Sequence, residues 1–282
     1  MDGRARAPAA GTVLNALATG YGSAFAIDQY VTATVSLGGD DVRGTIDDHP
    51  DADATLIEAA VAAVLDEYGS GQGATVRTES DVPIASGLKS SSAAANASVL
   101  ATLSALGELD GVSKEQAAKI GVEAAREAGV TVTGAFDDAS ASMLGGLTIT
   151  DNTADELITR ETVDWDVAVW IPPEQGFSAD ADVERCQRIA SVADVVRDLA
   201  ENGAYQTAMT INGFAFAAAL ERPTEPMIEA LPDVDGVSLS GTGPSYVAVG
   251  SDSGVDAVID RWEDRPGQTI RTQTQDTGAI VE

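Results

Sequence analysis

The segment 83–95 combines the residue types that bind a phosphate group, and it reads Pro-Ile-Ala-Ser-Gly-Leu-Lys-Ser-Ser-Ser-Ala-Ala-Ala. Gly87 lets a ligand approach the backbone closely, and Lys89 adds a positive charge in a chain that has only three lysines. The alanine-rich run predicts a helix, and a helix N-terminus offers unpaired N–H groups and a partial positive charge to an anion. The residues of this candidate phosphate loop are Pro83, Ile84, Ala85, Ser86, Gly87, Leu88, Lys89, Ser90, Ser91, Ser92 and Ala93.

The candidate loop does not match the P-loop consensus G-x-x-x-x-G-K-S/T, because Leu88 occupies the position of the second glycine. An ordinary strand-to-helix connection capped by serine is the alternative. Such a connection requires neither three consecutive serines nor Lys89. We therefore expect the segment to bind phosphate in a different way from a P-loop.

Three other segments could contribute to the same chemistry. Asp137 and Asp138 lie on a short element that ends in Gly145-Gly146, and an aspartate beside a transferable phosphoryl group can orient a hydroxyl or accept its proton. The segment 239–245, Leu-Ser-Gly-Thr-Gly-Pro-Ser, is a second loop that allows close approach, although it fails the G-x-G-x-x-G pattern. The small residues of 7–13 either admit a ligand or form a tight turn. Each of these segments, taken alone, is also typical of an ordinary turn.

Composition and charge exclude several classes of protein. The net charge is −29, from 45 acidic and 16 basic residues, so nucleic acid, which requires basic patches, is not expected as a partner. No apolar run approaches the roughly 18–20 residues that span a membrane, and residues 1–8 contain no apolar signal region, so we expect no membrane partner and a cytoplasmic location. The single cysteine, Cys186, and the single histidine, His49, exclude a disulfide framework and multi-Cys or multi-His metal sites. We interpret His49 as a solvated loop residue.

The elements that must position these segments follow from hydrophobic periodicity and turn residues. Strands are expected at 24–28, 30–37 and 41–46, with a hairpin turn at 38–40, and another strand at 73–80 leads directly into the phosphate loop. The expected helices of the first half are 53–68, 91–106 and 113–129, the last with Ser113 and Gln116 at capping-box spacing. The second half is expected to contain strands 147–150, 167–171, 237–240, 246–250 and 268–274 and helices 181–202, 205–220 and 254–263. This order indicates an α+β protein without repeats, and a soft boundary is expected between Thr150 and Asp166.

Together, and in this order, the segments resemble the GHMP kinase superfamily. Its phosphate loop, P-x-x-x-G-L-G-S-S-A, lines up with Pro83, Gly87, Leu88 and 89–92, and Lys89 stands where glycine is usual. The variant S-G-L-K-S-S-S-A, the opening 7–13 and the stretch 131–139 are similar to the archaeal branch that phosphorylates shikimate. The resemblance extends from Ala7 to Gly250.

The resemblance implies a fold and a reaction. The fold is α+β and two-lobed, with an N-terminal α/β half over residues 1–155, a C-terminal α+β, ferredoxin-like half over 156–282, and the active site in the cleft between them. The implied cofactors are ATP and Mg²⁺, and the implied acceptor is shikimate. Oligomeric state stays open.

The resemblance also assigns roles to residues. The catalytic aspartate lies seven positions before a glycine, which selects Asp138 rather than Asp137 when counted from Gly145. The metal-binding acid of some members lies about eleven positions earlier, which selects Glu127, with Glu123 as the alternative one helical turn away. The hydroxyl that reaches Mg²⁺ corresponds to Ser91.

Two further features of the superfamily map onto this chain. Gly241, Thr242 and Gly243 match its C-terminal glycine loop, which steadies the phosphate loop and the nucleotide. Mevalonate kinase carries a lysine where this chain has Ala10, and we hypothesise that Lys89 supplies that charge as a second catalytic residue. Two rival interpretations stay open: a homoserine or mevalonate-pathway kinase of the same superfamily, and a non-catalytic nucleotide-binding protein.

The acidic, lysine-poor composition predicts a protein from a halophilic host, whose fold requires salt. At about 1 M salt the Debye length falls to about 3 Å, so repulsion between surface carboxylates is screened. We expect the melting temperature, measured by circular dichroism, to rise by at least about 10 °C between ~0.1 and ~2 M KCl. A melting temperature that does not change over this range would contradict the prediction.

Overall fold

The computed structural model describes residues 1–47, 49–131, 135–174, 176 and 181–282. Within these residues, one long strand, β2 (Tyr21–Leu37), organises a seven-stranded sheet. Along its second half β-branched and small residues alternate, so that Val31, Ala33 and Val35 are buried on one face. The strand predicted in two pieces, 24–28 and 30–37, is therefore continuous.

The other strands of this first sheet extend from both edges of β2. On one edge β1 (Asp2–Leu14) runs antiparallel to it. On the other edge, β5 (Leu147–Asp151) pairs with residues 21–25 and β4 (Ala74–Ser80) with residues 31–37. The outer strands are β3 (Val42–Ile46), parallel to β4, β6 (Glu156–Glu161), antiparallel to β5, and β11 (Ile280–Val281), antiparallel to β1.

The described residues of this half of the chain form four helices, α1 (Thr55–Tyr68), α2 (Ser90–Leu106), α3 (Lys114–Glu127) and α4 (Phe136–Leu144), with a short 3₁₀ turn at 109–111. The alanine-rich α2 is buried along most of its length, because α1 and α3 pack against it while it packs on the sheet. Its small residues permit a close approach to β1. The predicted capping box is confirmed, with the Gln116 N–H donating to Ser113 Oγ over 3.2 Å and the Ser113 N–H donating to Gln116 Oε1 over 3.0 Å.

A second, antiparallel sheet of four strands has the order β10-β7-β9-β8 within the described residues. Its strands are β7 (Asp166–Ile171), β8 (Gly236–Leu239), β9 (Tyr246–Gly250) and β10 (Gln268–Gln273), and its helices are α5 (Val183–Gln187), α6 (Ala190–Glu201), α7 (Tyr205–Ala219), α8 (Glu225–Ala230) and α9 (Asp252–Glu263). The sheet order is that of a ferredoxin-like β-α-β-β-α-β unit. The predicted α+β fold, with a ferredoxin-like C-terminal half, is confirmed.

The tight-turn alternative for residues 7–13 was wrong. The segment is not a turn but forms most of the second half of β1. Ala5 and Ala7 face the core beneath the helices, whereas Ala9 and Val13 face the core shared with the second sheet. A strand buried on both faces lacks the alternation of polar and apolar residues by which strands are recognised.

The predicted hairpin at 38–40 and the predicted uninterrupted helix at 181–202 were also wrong. The turn at 38–40 does not close a hairpin, because β4 lies between β2 and β3 and pairs with both. The Gly38 N–H donates to the Gly73 carbonyl, and the Gly73 N–H donates to the Gly39 carbonyl, so the turn is tied to the start of β4. The single helix expected at 181–202 is interrupted at Arg188–Ile189, between α5 and α6.

The division into residues 1–155 and 156–282 stays a prediction. The strand β6 begins at Glu156 but pairs with β5 of the first sheet, and the second sheet begins at Asp166. The C-terminal β11 returns to the first sheet. Among the residues that the structure describes, no helix is long and apolar enough to cross a membrane.

Replacement of Gly3 by alanine should destabilise the fold. A β-carbon on Gly3 would lie 2.0 Å from the carbonyl oxygen of Ala101 and 2.8 Å from the nitrogen of Ala105, so β1 and the backbone of α2 would have to separate. We expect a loss of about 1–3 kcal/mol in the free energy of unfolding, measured in urea at high KCl. The matched control is Gly111→Ala, where a β-carbon meets no atom within 4 Å. Equal stability of the two variants would contradict the packing described for β1 and α2.

Candidate active site

The candidate phosphate loop joins β4 to α2 through a turn that contains three residues with left-handed backbone. The φ angles are 56° for Ala85, 84° for Gly87 and 64° for Lys89. Glycine adopts this conformation freely, whereas other residues are strained by about 1–3 kcal/mol. A lysine at a position that favours glycine indicates that its ammonium group is required there.

The N-terminus of α2 follows this turn directly and no side chain caps it. Ser90, Ser91 and Ser92 form its first turn, and all three line a cavity. First-turn N–H groups without intrahelical partners carry the positive end of the helix dipole. An uncapped helix N-terminus beside a cavity is suited to bind an anion.

Three consecutive carbonyl groups anchor the loop from behind. The carbonyl of Ser86 accepts hydrogen bonds from the N–H (3.2 Å) and the hydroxyl of Ser245, and that of Gly87 accepts one from Ser240 Oγ over 2.8 Å. The carbonyl of Leu88 accepts one from the Ala10 N–H over 3.1 Å. A β-carbon on Gly87 would lie 2.6 Å from the Ser240 carbonyl oxygen, so only glycine permits this contact.

The C-terminal glycine loop is in turn attached to β1. The Gly241 N–H donates to Thr12 Oγ1 over 2.8 Å, and Asn15 Nδ2 donates to the Gly241 carbonyl over 2.9 Å. Asn212 of α7 accepts a hydrogen bond from the Asn15 N–H over 2.9 Å. The N-terminal segment, the phosphate loop and the glycine loop therefore form one connected unit.

An ion pair lies at the centre of this unit. Lys89 Nζ is 2.7 Å from Asp138 Oδ1, and the two side chains are only 8% and 16% exposed. At this length the contact is charge-assisted, and it occupies one of the acceptor positions of the carboxylate. A β-carbon on Gly241 would lie 3.1 Å from Lys89 Nζ, so the glycine loop leaves room for the ammonium group. The carboxylate thus retains an acceptor for a ligand donor.

The neighbouring Asp137, also in the first turn of α4, is more deeply buried. Asn152 donates from Nδ2 to Asp137 Oδ1 over 2.7 Å and accepts the Asp137 N–H over 3.0 Å. Burial raises the pKa of Asp137 to about 7, and the carboxylate of Asp138 adds to this rise, whereas Lys89 and the hydrogen bond from Asn152 oppose it. One ammonium group is therefore shared by two carboxyl groups.

The cavity beside this ion pair has a volume of about 700 Å³. Its polar end is formed by the phosphate loop, the glycine loop and the two aspartates. Its other end is lined by the apolar residues Val31, Ile46, Leu56 and Ile57 together with the polar residues Asp53, Thr78 and Ser80. A molecule with a highly charged part and a less polar part would match this division.

Most of the predicted binding residues reach the cavity. The predicted residues that line it are Ile84, Ala85, Gly87, Lys89, Ser90, Ser91, Ser92, Asp138, Gly241 and Thr242. The predicted residues that do not line it are Pro83, Ser86, Leu88, Ala93 and Gly243. Ser86, Leu88 and Ala93 are buried and hold the loop in place instead. Within the stretch 131–139, residues 132–134 lie outside the described residues.

The structure does not bring the predicted metal-binding acids to the cavity. Ala125 and Gly129 of the α3 region line it, but Glu127 lies between them in sequence and is exposed, and Glu123 is exposed too. Residues two apart on a helix point in nearly opposite directions, whereas residues four apart share a face. The assignment of Glu127 or Glu123 to a metal therefore stays a prediction that this geometry does not favour.

Several cavity residues were not predicted from the sequence. Asn15 connects β1 to the glycine loop, and its position just after the small-residue segment 7–13 was the available signal. His49, interpreted as a solvated loop residue, is exposed but lines the cavity. The apolar residues of the far end come from separate strands and from α1, so no local motif marks them.

Comparison with known proteins places these features in context. Residues 55–146 match the family described as GHMP kinases N terminal domain. The chain is 60% identical to shikimate kinase of Halobacterium salinarum over 99% of each chain, and 49% identical to shikimate kinase of Methanothrix thermoacetophila over 99% of this chain and 96% of the relative.

Two solved structures share the fold at low sequence identity. Homoserine kinase from Cytophaga hutchinsonii superposes with a TM-score of 0.79 at 17% identity, covering 100% of this chain and 97% of that chain. Mevalonate kinase from Methanococcus jannaschii superposes with a TM-score of 0.76 at 15% identity, covering 96% and 98%. These likenesses concern the fold alone.

Replacement of Asp137 by asparagine should change how stability depends on pH. Because the folded pKa of Asp137 lies near 7, above its ordinary value of 3.8, the folded protein retains a proton that the unfolded chain releases in this interval. The contribution of Asp137 to stability is therefore present at low pH and lost as pH rises toward 7. Relative to wild type, Asp137→Asn should gain stability over this interval by up to about 1.4 kcal/mol per pH unit in urea unfolding.

The control for this prediction is Asp53→Asn. Hydrogen bonds from Thr55 lower the pKa of Asp53 below its ordinary value of 3.8, so its effect lies below the interval tested. A difference between Asp137→Asn and wild type that stays constant from pH 4 to 7 would contradict the buried, protonated Asp137.

Proposed function

The chain belongs to the GHMP kinases, and we propose that it transfers the γ-phosphoryl group of ATP to a hydroxyl group of shikimate. Relatives that match almost the whole chain are named shikimate kinase. One observation carries the proposal: an uncapped helix N-terminus, Lys89 and Asp138 meet at one cavity. Phosphoryl transfer needs positive charge around the phosphate and a group that orients the attacking hydroxyl.

ATP would bind with its phosphates along the phosphate loop and the first turn of α2. The left-handed turn at Gly87 and the uncapped N–H groups of Ser90–Ser92 support this placement. Gly241 and Thr242 would border the phosphates from the opposite side of the cavity. The less polar end, with Leu56 and Ile57, offers space for the base.

Asp138 and Lys89 would have different roles in the phosphoryl-transfer step. Asp138 would orient the acceptor hydroxyl and take its proton as the hydroxyl oxygen bonds to the γ-phosphorus and the bond to the leaving ADP oxygen breaks. Lys89 would stabilise the charge on the transferring group. Their 2.7 Å contact supports this division, because the ammonium and the carboxylate occupy adjacent positions at the cavity wall.

The residues present are compatible with Mg²⁺. Oxygen donors are the ligands this ion prefers, and kinases commonly bind it through one or two protein oxygens together with phosphates and water. Ser91 and Asp138 both line the cavity and offer a hydroxyl and a carboxylate oxygen. Ser91, with Asp138 nearby, would hold the ion, which neutralises phosphate charge when bound. The described residues contain no cluster of three or more His, Cys, Asp or Glu suited to a metal.

Substitution of the two central residues should reduce turnover without unfolding the protein. We expect Asp138→Asn to lower kcat by at least about 100-fold, the lower range for loss of a proton-transfer group. Lys89→Ala should lower kcat by more than about tenfold through loss of charge stabilisation. Steady-state kinetics at high KCl measure both effects. Lys114→Ala is the control, because Lys114 is exposed and its side chain bonds, among the described residues, only to the Thr277 carbonyl. Turnover close to wild type in either variant would remove that residue from the mechanism.

The function itself is tested by a coupled assay of ADP release at high KCl. Shikimate, homoserine and mevalonate are offered separately, and we expect turnover with shikimate alone. Turnover with homoserine or mevalonate instead would assign the chain to a different GHMP kinase activity. Binding of ATP without turnover of any acceptor would indicate a non-catalytic nucleotide-binding protein.

A further inference from the structure

Arg222, which follows α7, is the exceptional cation of this chain. The side chains of all other lysines and arginines, which lie in the described parts of the chain, form an ion pair or a hydrogen bond. The side chain of Arg222 forms neither with any described residue, although the protein has 45 acidic residues. A surface rich in carboxylates would normally supply a partner for an arginine.

The missing partner is more notable because the guanidinium is partly buried. Arg222 Nε is inaccessible to solvent and donates no hydrogen bond within the described structure. A buried charged donor without a partner is unfavourable, by more than a neutral one. This cost is removed when a bound ligand supplies the hydrogen-bond acceptor.

The position of Arg222 relates it to the candidate active site. A β-carbon on Gly243 would lie 3.3 Å from Arg222 Nε, and a β-carbon on Gly176 would lie 3.1 Å from Arg222 Nη2. Gly176 lines the cavity, and its N–H donates to the carbonyl of Ala85 in the phosphate loop over 3.0 Å. The guanidinium therefore lies beside Gly176, which lines the cavity, and beside Gly243, which does not. Arg222 itself does not line the cavity, but neither glycine has a side chain that would separate the guanidinium from a ligand there.

The glycine loop thus has a cation beside each of its two glycines. Lys89 Nζ lies 3.1 Å from the β-carbon position of Gly241, and Arg222 Nε lies 3.3 Å from that of Gly243. Lys89 contacts Asp138, where the acceptor hydroxyl is expected to react. Arg222 is displaced along the loop from that point. An acceptor that has its hydroxyl at Asp138 and extends along the glycine loop past Gly176 would bring an anionic group at its other end toward Arg222.

We propose that Arg222 binds the carboxylate of the acceptor and selects for acidic acceptors, an inference that rests on the proposed function. The planar guanidinium matches a carboxylate through two parallel N–H···O bonds. Arg77 and Arg126 are already paired with carboxylates, with Asp47 and with Asp155 respectively. The phosphates of the nucleotide already have Lys89 and the N-terminus of α2, which leaves the acceptor carboxylate as the anion that needs Arg222.

The test compares shikimate with its uncharged methyl ester in wild type, Arg222→Met and Arg222→Lys at high KCl. We expect the wild type to show a KM for the ester about 10- to 100-fold above that for shikimate, from the loss of a charge-assisted hydrogen-bond pair. Arg222→Met should raise the KM for shikimate by a similar factor, so that the KM values for the acid and for the ester become about equal. The KM for ATP should stay within about twofold, and Arg222→Lys should recover part of the discrimination.

The matched control is Arg188→Met, which removes an exposed arginine whose one ion pair within the described structure is with Glu184, and which should leave both KM values unchanged. Equal use of acid and ester by the wild type would overturn the inference without reference to any variant. A rise in the KM for ATP alone in Arg222→Met would also overturn it and assign the arginine to the nucleotide phosphates. Absence of shikimate turnover in the wild type would instead refute the proposed function, and the inference with it.

Discussion

Hydrogen bonds to three consecutive carbonyl groups, those of Ser86, Gly87 and Leu88, are the constraint on which the site depends. Their donors belong to the glycine loop and to β1, and the Ser240 hydroxyl is 153 positions from Gly87 in the chain. Because partners so far apart must be brought together at a cost in chain entropy, these bonds form only when both sheets are in place. The turn that presents Lys89 and the N-terminus of α2 to the cavity is therefore maintained by the second sheet as much as by its own sequence.

The charges at the candidate site differ from the net charge of the molecule in how strongly salt screens them. The net charge of −29 is a surface property that salt screens, whereas a buried group is screened much less. Within the described cavity wall a single lysine, Lys89, faces both Asp137 and Asp138. One ammonium group cannot balance two ionised carboxylates in a poorly solvated place, so the pKa of Asp137 rises while Asp138 forms the ion pair. The two adjacent aspartates thereby acquire different roles from their surroundings.

Local sequence patterns correctly predicted the elements whose secondary structure is determined by their own residues. The helices α1, α2 and α3 and the strand β9 carry periodicity, caps or bounding turns within their own residues, and the structure confirms them. The errors arose where distant partners decide: β1 is buried on both faces and has no alternating pattern, and β4 separates β2 from β3 although their connection has the composition of a hairpin turn. The assignment of Glu127 stays a prediction, and it was made from a count along the chain that carries no information on which face of α3 lines the cavity, where Ala125 and Gly129 lie.

The sequence by itself determined the chemistry of the phosphate loop, the family and the acidic character of the surface. These three properties depend on residue types and on short spacings along the chain, and both can be obtained directly from the sequence. Only the tertiary structure decided that Asp138 contacts Lys89, that Asn15 and Thr12 hold the glycine loop, and that the Arg222 side chain has no partner among the described residues. Each of these depends on contacts between residues far apart in the chain, and such contacts leave no mark in the local pattern of either partner.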